Sequence, residues 1–134
     1  MKQDNTSRLF TEVGLLIKSR LQMAIAMPFS QCQTLSFIAN NTSPSMQDIA
    51  QYFKIRAPSA TFLVEELVRG GYVARHANAK DRRRVELMLT PKGRTKFKTI
   101  EEKRTGVLSK VFRSLEDKDR QELERILEKI IHNE

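Results

Sequence analysis

The sequence predicts a mainly α-helical protein with a small two-stranded β-wing, and three features between Ser45 and Gly93 carry this prediction. Two short helical patterns come first, and a turn around residues 54–58 joins them. A strand-like run at 72–76, a basic loop and a second strand with alternating apolar and polar residues follow. Thr90-Pro91 is then a typical helix start. This order of elements is that of a winged helix-turn-helix with flanking helices.

The chain before this stretch is expected to form two helices. Apolar residues recur at three- and four-residue spacing over residues 8–26, and Pro28 follows, so a first helix is predicted there. Ser30 and Gln33 form a capping-box pattern, which predicts a second helix over residues 31–40.

In the central stretch, Ser45 is placed to cap a helix, with Asp48 three residues further on. Gly70-Gly71 ends the second helix of the pair. Its buried stripe and the inward face of the second strand follow from periodicity. The stripe consists of Ala60, Leu63, Val64 and Leu67, and the strand face of Val85, Leu87 and Leu89.

After Pro91 a helix is expected to about Arg113, and Ser114 with Asp117 is a restart signal for a last helix. The first and last helices carry long apolar stripes. These stripes either pack on the central lobe or meet their copies in a second subunit, and we favour the second interpretation. The predicted dimerisation residues are Leu9, Val13, Leu16, Leu123, Ile126, Leu127, Ile130 and Ile131.

The charge distribution indicates a polyanionic partner or an anionic membrane surface. Formal net charge is +8 and the pI is about 9.9. Residues 54–113 hold 16 Lys and Arg against 6 Asp and Glu, whereas residues 114–134 hold 4 against 7. The positive excess therefore lies on the winged region and the helix after it, as expected of a localised nucleic-acid footprint.

Other classes of protein have little support. Cys32 is the single cysteine, so no intramolecular disulfide forms, and it is expected to be a small buried hydrophobe. The alternative is a redox sensor, because a helix N-terminus would lower the pKa of its thiol. Without a signal core or a long apolar run, the chain is expected to be cytoplasmic and not membrane-bound. His76 and His132 are the only histidines, and no catalytic or metal-binding motif is present. We therefore expect no enzyme activity, no cofactor and no metal.

The order DIA, PSAT-x-LVEEL, GGYV-x-R, DRR and LTPKG resembles the MarR (multiple antibiotic resistance regulator) family over nearly the whole chain. Residues 81–93 are the most specific part. The resemblance implies one chain, 1–134, with a winged helix-turn-helix DNA-binding lobe at 30–90. It also implies a helical dimerisation lobe formed by 1–29 and 91–134.

Candidate DNA-binding residues lie on the second helix and the wing. Recognition helices read base edges from their N-terminal and outer positions, and Arg suits the minor groove of A·T-rich DNA. The resemblance implies that Asp81 holds Arg83. Phe62 is either a packing residue or a contact to a thymine methyl, and Arg75 either a phosphate contact or a surface salt bridge. The candidates are Arg56, Ala57, Ser59, Thr61, Phe62, Arg75, Lys80, Asp81, Arg82, Arg83 and Arg84.

Two of these positions depart from the pattern of the family. A small capping Ser or Thr is common where this chain has Arg56, and a basic residue is common where it has Phe62. Arg56 is therefore expected to grip a phosphate instead of capping the helix.

The predicted function is a transcriptional regulator, a repressor by resemblance, that binds a pseudo-palindromic operator in double-stranded DNA as a homodimer. Half-sites of such dimers lie one helical turn apart, about 34–36 Å. The resemblance implies release by a small anionic or phenolic ligand. The alternatives are an effector-independent architectural DNA-binding protein and a winged helix that binds an acidic protein partner.

Overall fold

The computed structural model describes residues 4–134, which form six helices and one two-stranded antiparallel sheet. Two compact units divide the chain. One is Ile25–Glu102, and the other combines the N-terminal residues up to Ala24 with Lys103–Glu134. In the described part of the chain no helix is long and apolar enough to cross a membrane. The elements are α1 (Asn5–Ala24), α2 (Phe29–Asn40), α3 (Met46–Phe53), α4 (Ala57–Arg69), β1 (Val73–Ala77), β2 (Val85–Leu89), α5 (Pro91–Val111) and α6 (Asp117–Ile131).

The unit Ile25–Glu102 has its own core, and it contains the predicted 30–90 lobe. Within it α2 contacts α4 and β2, α3 contacts α4 and β2, and α4 contacts β1. The predicted inward face of β2 is confirmed, because Leu87 and Leu89 are buried and Val85 is half-buried, while Met88 is exposed. The fold class predicted from the sequence is therefore the observed one. The buried apolar side chains are Ile25, Cys32, Leu35, Ile38, Ile49, Ala60, Val64, Leu67, Val73, Leu87, Leu89 and Ile100.

Two predicted caps are wrong. α2 begins at Phe29, with Pro28 as its N-cap and no side-chain cap bond, so Ser30 lies inside the first turn. The fixed φ of proline sets the helix entry before Ser30 is reached. Likewise Glu116 is the N-cap of α6, and the predicted restart at Ser114 lies in the turn before it.

The boundaries of α1 also differ from the prediction. The helix spans Asn5–Ala24, and Asp4 accepts a hydrogen bond from the N–H of Thr6 at its start (3.2 Å). Ile25, which falls within the helix predicted over residues 8–26, lies after the observed helix and is buried in the unit Ile25–Glu102. A three- and four-residue spacing that continues by chance past a helix end gives no sign of where the helix stops.

The N-terminus of α3 is a full capping box. The Ser45 hydroxyl accepts from the N–H of Asp48 (3.2 Å), and the Asp48 carboxylate accepts from the N–H of Ser45 (2.8 Å). The Ser45 N–H, and then its hydroxyl and the Arg84 guanidinium, outweigh burial and lower the pKa of the Asp48 carboxyl. The carboxylate therefore stays charged at neutral pH. Its negative charge interacts favourably with the positive end of the α3 helix dipole.

The N-terminus of α3 also contacts the wing. Arg84 Nη2 lies 3.2 Å from Asp48 Oδ2. Beside this ion pair, the N–H of Leu87 donates to the carbonyl of Pro44 (2.8 Å), and Ser45 forms an isolated β-bridge with Glu86. The segment before α3 thus makes a short backbone pairing with β2 of the hairpin.

The residues of the LTPKG sequence form the contacts that connect the wing to α5. Thr90 caps α5 as predicted, since its hydroxyl accepts from the N–H of Gly93 (3.0 Å) and donates to the carbonyl of Gly71 (2.6 Å). Lys92 Nζ donates to the carbonyl of Gly70 (2.7 Å) and lies 4.7 Å from the centre of the Tyr72 ring. Because Tyr72 approaches so closely, a Cβ on Gly93 would lie 2.0 Å from its carbonyl oxygen.

Gly93→Ala should destabilise the protein by about 1–3 kcal/mol or more, because the added methyl meets backbone that cannot move aside. Gly106→Ala is the matched control in the same helix, with nothing within 4 Å of its Cβ. It should be neutral or stabilising by up to about 1 kcal/mol, since Ala favours helix over Gly. Thermal unfolding of both variants measures the difference. Equal melting temperatures would contradict the close approach of the Tyr72 backbone to Gly93.

Asp48→Ala should lower the free energy of unfolding by about 1 kcal/mol near neutral pH through loss of the capping box. Because its folded pKa lies below the ordinary 3.8, the Asp48 carboxylate stabilises the fold above that pH and stops doing so as pH falls through the folded value. Denaturant titrations at about pH 7 and about pH 3 should therefore show a shrinking difference from wild type. Ser45→Ala removes an uncharged acceptor, so its effect should vary less with pH, and a pH-independent effect of Asp48→Ala would refute the charge argument.

Candidate nucleic-acid interface

The recognition helix α4 presents small and apolar side chains outward. Arg56 is its N-cap without a side-chain cap bond, in agreement with the absence of a small hydroxyl residue there, and Pro58 lies in its first turn. Ala60, Val64 and Leu67 face the core. The predicted contact residues on this helix are all exposed. They are Ala57, Ser59, Thr61 and Phe62.

The exposure of Phe62 resolves one alternative. Its side chain is 65% exposed, so it is not a core packing residue of the described chain. The ring is therefore accessible to a partner that approaches the outer face of α4.

The wing hairpin pairs in regular register from Val73↔Leu89 to Ala77↔Val85. Its tip is a built turn. Asn78 Oδ1 accepts from the N–H groups of Lys80 (2.8 Å) and Asp81 (3.1 Å), and the carbonyl of Asp81 accepts from the N–H of Arg84 (3.0 Å). Asn is well suited to this role, because its short side chain bonds the backbone two residues further on.

Asp81 orders the tip through the backbone. Its Oδ1 accepts from the main-chain N–H of Arg83 at 3.0 Å. The resemblance implied that Asp81 holds Arg83, and the contact found is made to the backbone and not to the guanidinium. In this arrangement the Arg83 side chain is exposed while the turn below it is fixed.

The basic residues of α4 and the hairpin fall into two groups. In the first group, Arg69 pairs with Glu66 and Arg75 with Glu65, both on α4, while Arg84 pairs with Asp48 and lies 3.8 Å from Glu86. The salt-bridge alternative for Arg75 is therefore the one found. Side chains of a second group are exposed and form no salt bridge within residues 4–134. This group consists of Lys80, Arg82 and Arg83.

The predicted dimerisation residues lie on α1 and α6. Seven of them are exposed large hydrophobic side chains, and Leu123 is half-buried. Neither helix has a fully buried residue among those described. The predicted stripe left out further exposed apolar residues of α1, which are Phe10, Leu15 and Met23.

Cys32 is buried in α2, and its Sγ lies 3.7 Å from the carbonyl oxygen of Met27 as a weak donor. This is the environment of a small buried hydrophobe. Across residues 4–134, no group of three His, Cys, Asp or Glu side chains is arranged to hold a metal ion.

Sequence reasoning missed three contacts that shape the interface. Asn78 builds the wing turn, Asp48 anchors Arg84, and Glu65 holds Arg75. The turn at Asn78 does have a local signal, because Asn in a loop favours a turn. The two ion pairs join residues 36 and 10 positions apart, and no local pattern marks such pairs.

Comparison with known proteins agrees with this geometry. Residues 27–84 match a sequence model described as the MarR family. The HTH-type transcriptional repressor MdtR of Bacillus subtilis (strain 168) is 24% identical over 90 residues, which are 67% of this chain and 58% of that protein. The aligned part thus spans little more than half of that relative.

Solved structures share the fold over almost the full length. A mutant MarR from E. coli superposes with a TM-score of 0.83 at 18% identity, covering 98% of this chain and 99% of that one. A mutant of S. aureus MepR bound to an oligodeoxyribonucleotide gives a TM-score of 0.69, also at 18% identity and with the same coverages. With the match over residues 27–84, the capped helix pair and the wing described above, the chain is similar to the MarR family and has the winged helix-turn-helix fold of these solved structures.

Proposed function

We propose that this chain is a transcriptional repressor that binds a pseudo-palindromic DNA operator as a homodimer. The observation that carries the proposal is that α4 and the wing tip, both exposed, belong to one compact unit that fixes their geometry. Recognition helices of this class enter the major groove, and a wing reaches the neighbouring backbone or minor groove.

The charges of this unit suit a DNA backbone. Lys80, Arg82 and Arg83 are without salt bridges among the described residues, so they supply positive charge at the wing tip. Arg56, at the N-cap of α4, adds a cation where helix N–H groups also favour an anion. The oligodeoxyribonucleotide bound to the S. aureus MepR mutant supports the same partner class.

The apolar faces of α1 and α6 support the dimer. Contiguous exposed apolar surface on a folded chain marks an interaction site. A second copy would cover these faces, and a homodimer presents two α4 helices, as a two-fold operator requires.

Release by a small ligand follows if the ligand prefers a spacing of the two α4 helices that misfits DNA. A solved structure of S. aureus MepR bound to ethidium bromide supports small-molecule binding in such proteins. The effector class proposed for this chain is a small anionic or phenolic compound.

Selection from random duplexes long enough for two half-sites tests the proposal. The expected result is a pseudo-palindromic consensus bound about 10³-fold or more above random DNA at moderate salt. A ratio near one would favour an architectural protein, and no binding to any duplex at low salt would favour a protein partner. Repeating the titration with salicylate, a phenolic anion, tests the effector class, which an unchanged affinity would count against.

Arg83→Ala should weaken binding to all duplexes and reduce the magnitude of the log–log salt slope by about 0.9 for each phosphate that is no longer neutralised. Arg113→Ala removes an equal charge outside the wing and should leave the slope nearly unchanged. Fluorescence anisotropy across a salt series measures both. A slope that responds equally to the two variants would mean that only total charge matters.

Asp81→Ala should also weaken binding, although it removes a negative charge, because the Arg83 N–H loses its acceptor and the turn loosens. Asp81→Asn keeps an acceptor oxygen and should bind at least as tightly as wild type. The two variants therefore separate turn geometry from charge. Tighter binding by Asp81→Ala at moderate salt would reduce the loop to a plain basic patch.

Ile130→Glu should convert the dimer to monomer, since it places a carboxylate on the apolar face of α6, where Ile130 is 57% exposed in the single chain. Lys129→Glu, on the polar side of the same turn, is the matched control and should remain dimeric. Light-scattering mass measurements report the state directly. A folded, dimeric Ile130→Glu protein would place the interface elsewhere.

A further inference from the structure

The outward face of α4 has an aromatic ring at its centre. At about 100° per residue, Phe62 lies on the side of the helix opposite the buried Ala60, Val64 and Leu67. Pro58 is one turn before it and Glu65 almost one turn after it on the same side. Phe62 is therefore the largest side chain at the middle of the surface that a recognition helix turns toward DNA.

The first two turns of α4 contain none of the side chains that make bidentate contacts to purines. Residues 57–63 read Ala-Pro-Ser-Ala-Thr-Phe-Leu, without Arg, Lys, Asn or Gln. Arg and Lys recognise guanine, and Asn and Gln recognise adenine, by paired hydrogen bonds. What remains for base readout from this part of the helix is hydroxyl and apolar contact.

The acidic residues that follow do not block approach to DNA. Glu65 pairs with Arg75 and Glu66 with Arg69, so both carboxylates of α4 have a guanidinium partner. The face around Phe62 is thus uncharged at its N-terminal half and charge-balanced at its C-terminal half. Such a face suits the floor of the major groove better than the phosphate ridges.

We propose that Phe62 is a specificity-determining residue that reads the 5-methyl group of thymine in the major groove of each half-site. The inference rests on the proposed function, because it requires that α4 enters DNA. The thymine methyl is the apolar group that base pairs present in the major groove, and apolar side chains recognise it by contact. Covering it with an exposed ring removes apolar surface of both partners from water.

The test replaces thymine by deoxyuridine in the duplex selected from the random pool. Deoxyuridine lacks only the 5-methyl group and leaves base pairing and the minor groove unchanged. Wild-type affinity should fall about fourfold for each contacted methyl that is removed, the value of one buried methylene, and on the order of 15-fold for two half-sites.

Two variants assign the effect to a side chain. Phe62→Ala should bind the thymine and deoxyuridine duplexes equally, and thermal unfolding should be unchanged because the ring is exposed. Thr61→Ser removes the neighbouring methyl and keeps the hydroxyl, so it should retain the wild-type sensitivity. Arg83→Ala should weaken both duplexes by the same factor, since the wing acts outside the major groove.

A wild-type ratio near one, or a ratio that persists in Phe62→Ala, overturns the inference while the proposed function stands. Disappearance of the sensitivity in Thr61→Ser alone overturns it as well and assigns the methyl contact to Thr61. Failure of the wild type to bind any duplex at low salt overturns the inference together with the proposed function.

Discussion

The carboxylate of Asp48 connects the helix pair to the wing. It completes the capping box of α3 with Ser45 and, on the same oxygen, receives the Arg84 guanidinium from the base of the wing loop. The bonds from Ser45 keep its pKa low, so the charge that attracts Arg84 persists at neutral pH. One side chain therefore satisfies a helix end and contacts the hairpin beside it. The hydrogen bond from the N–H of Leu87 to the carbonyl of Pro44 also orients β2 relative to the segment before α3.

Some arginines of α4 and the hairpin form ion pairs within the chain, and others are left available to a partner. Ion pairs this exposed contribute little stability, commonly under about 1 kcal/mol each. Their effect is better described as neutralisation, because Arg69, Arg75 and Arg84 cover the carboxylates that would repel phosphates. The wing-tip cations then act without nearby acids of the described chain to offset them, apart from Asp81, whose carboxylate is engaged by the backbone.

Local patterns in the sequence predicted the helices and strands, but they did not predict contacts between residues far apart in the sequence. Alternation identified β2, and Ser45 with Asp48 identified a real capping box. The same pattern at Ser30 failed, because Pro28 had already set the entry of α2. Arg75 could not be assigned from sequence, since its partner Glu65 lies on another element. Periodicity placed Phe62 outside the buried stripe of α4, but it could not tell a half-buried packing ring from an exposed one, because that depends on what the neighbouring elements cover.

The two proposed contacts with DNA favour the same base pairs. Arginine is attracted to the narrow, electronegative minor groove of A·T-rich tracts, and that preference is read through groove shape. An aromatic ring on a thymine methyl selects A·T pairs from the major groove by direct contact. The first turns of α4 hold no guanine-reading side chain that would compete. An operator with A·T pairs under both α4 and the wing would satisfy both contacts at once, whereas a G·C-rich half-site would satisfy neither.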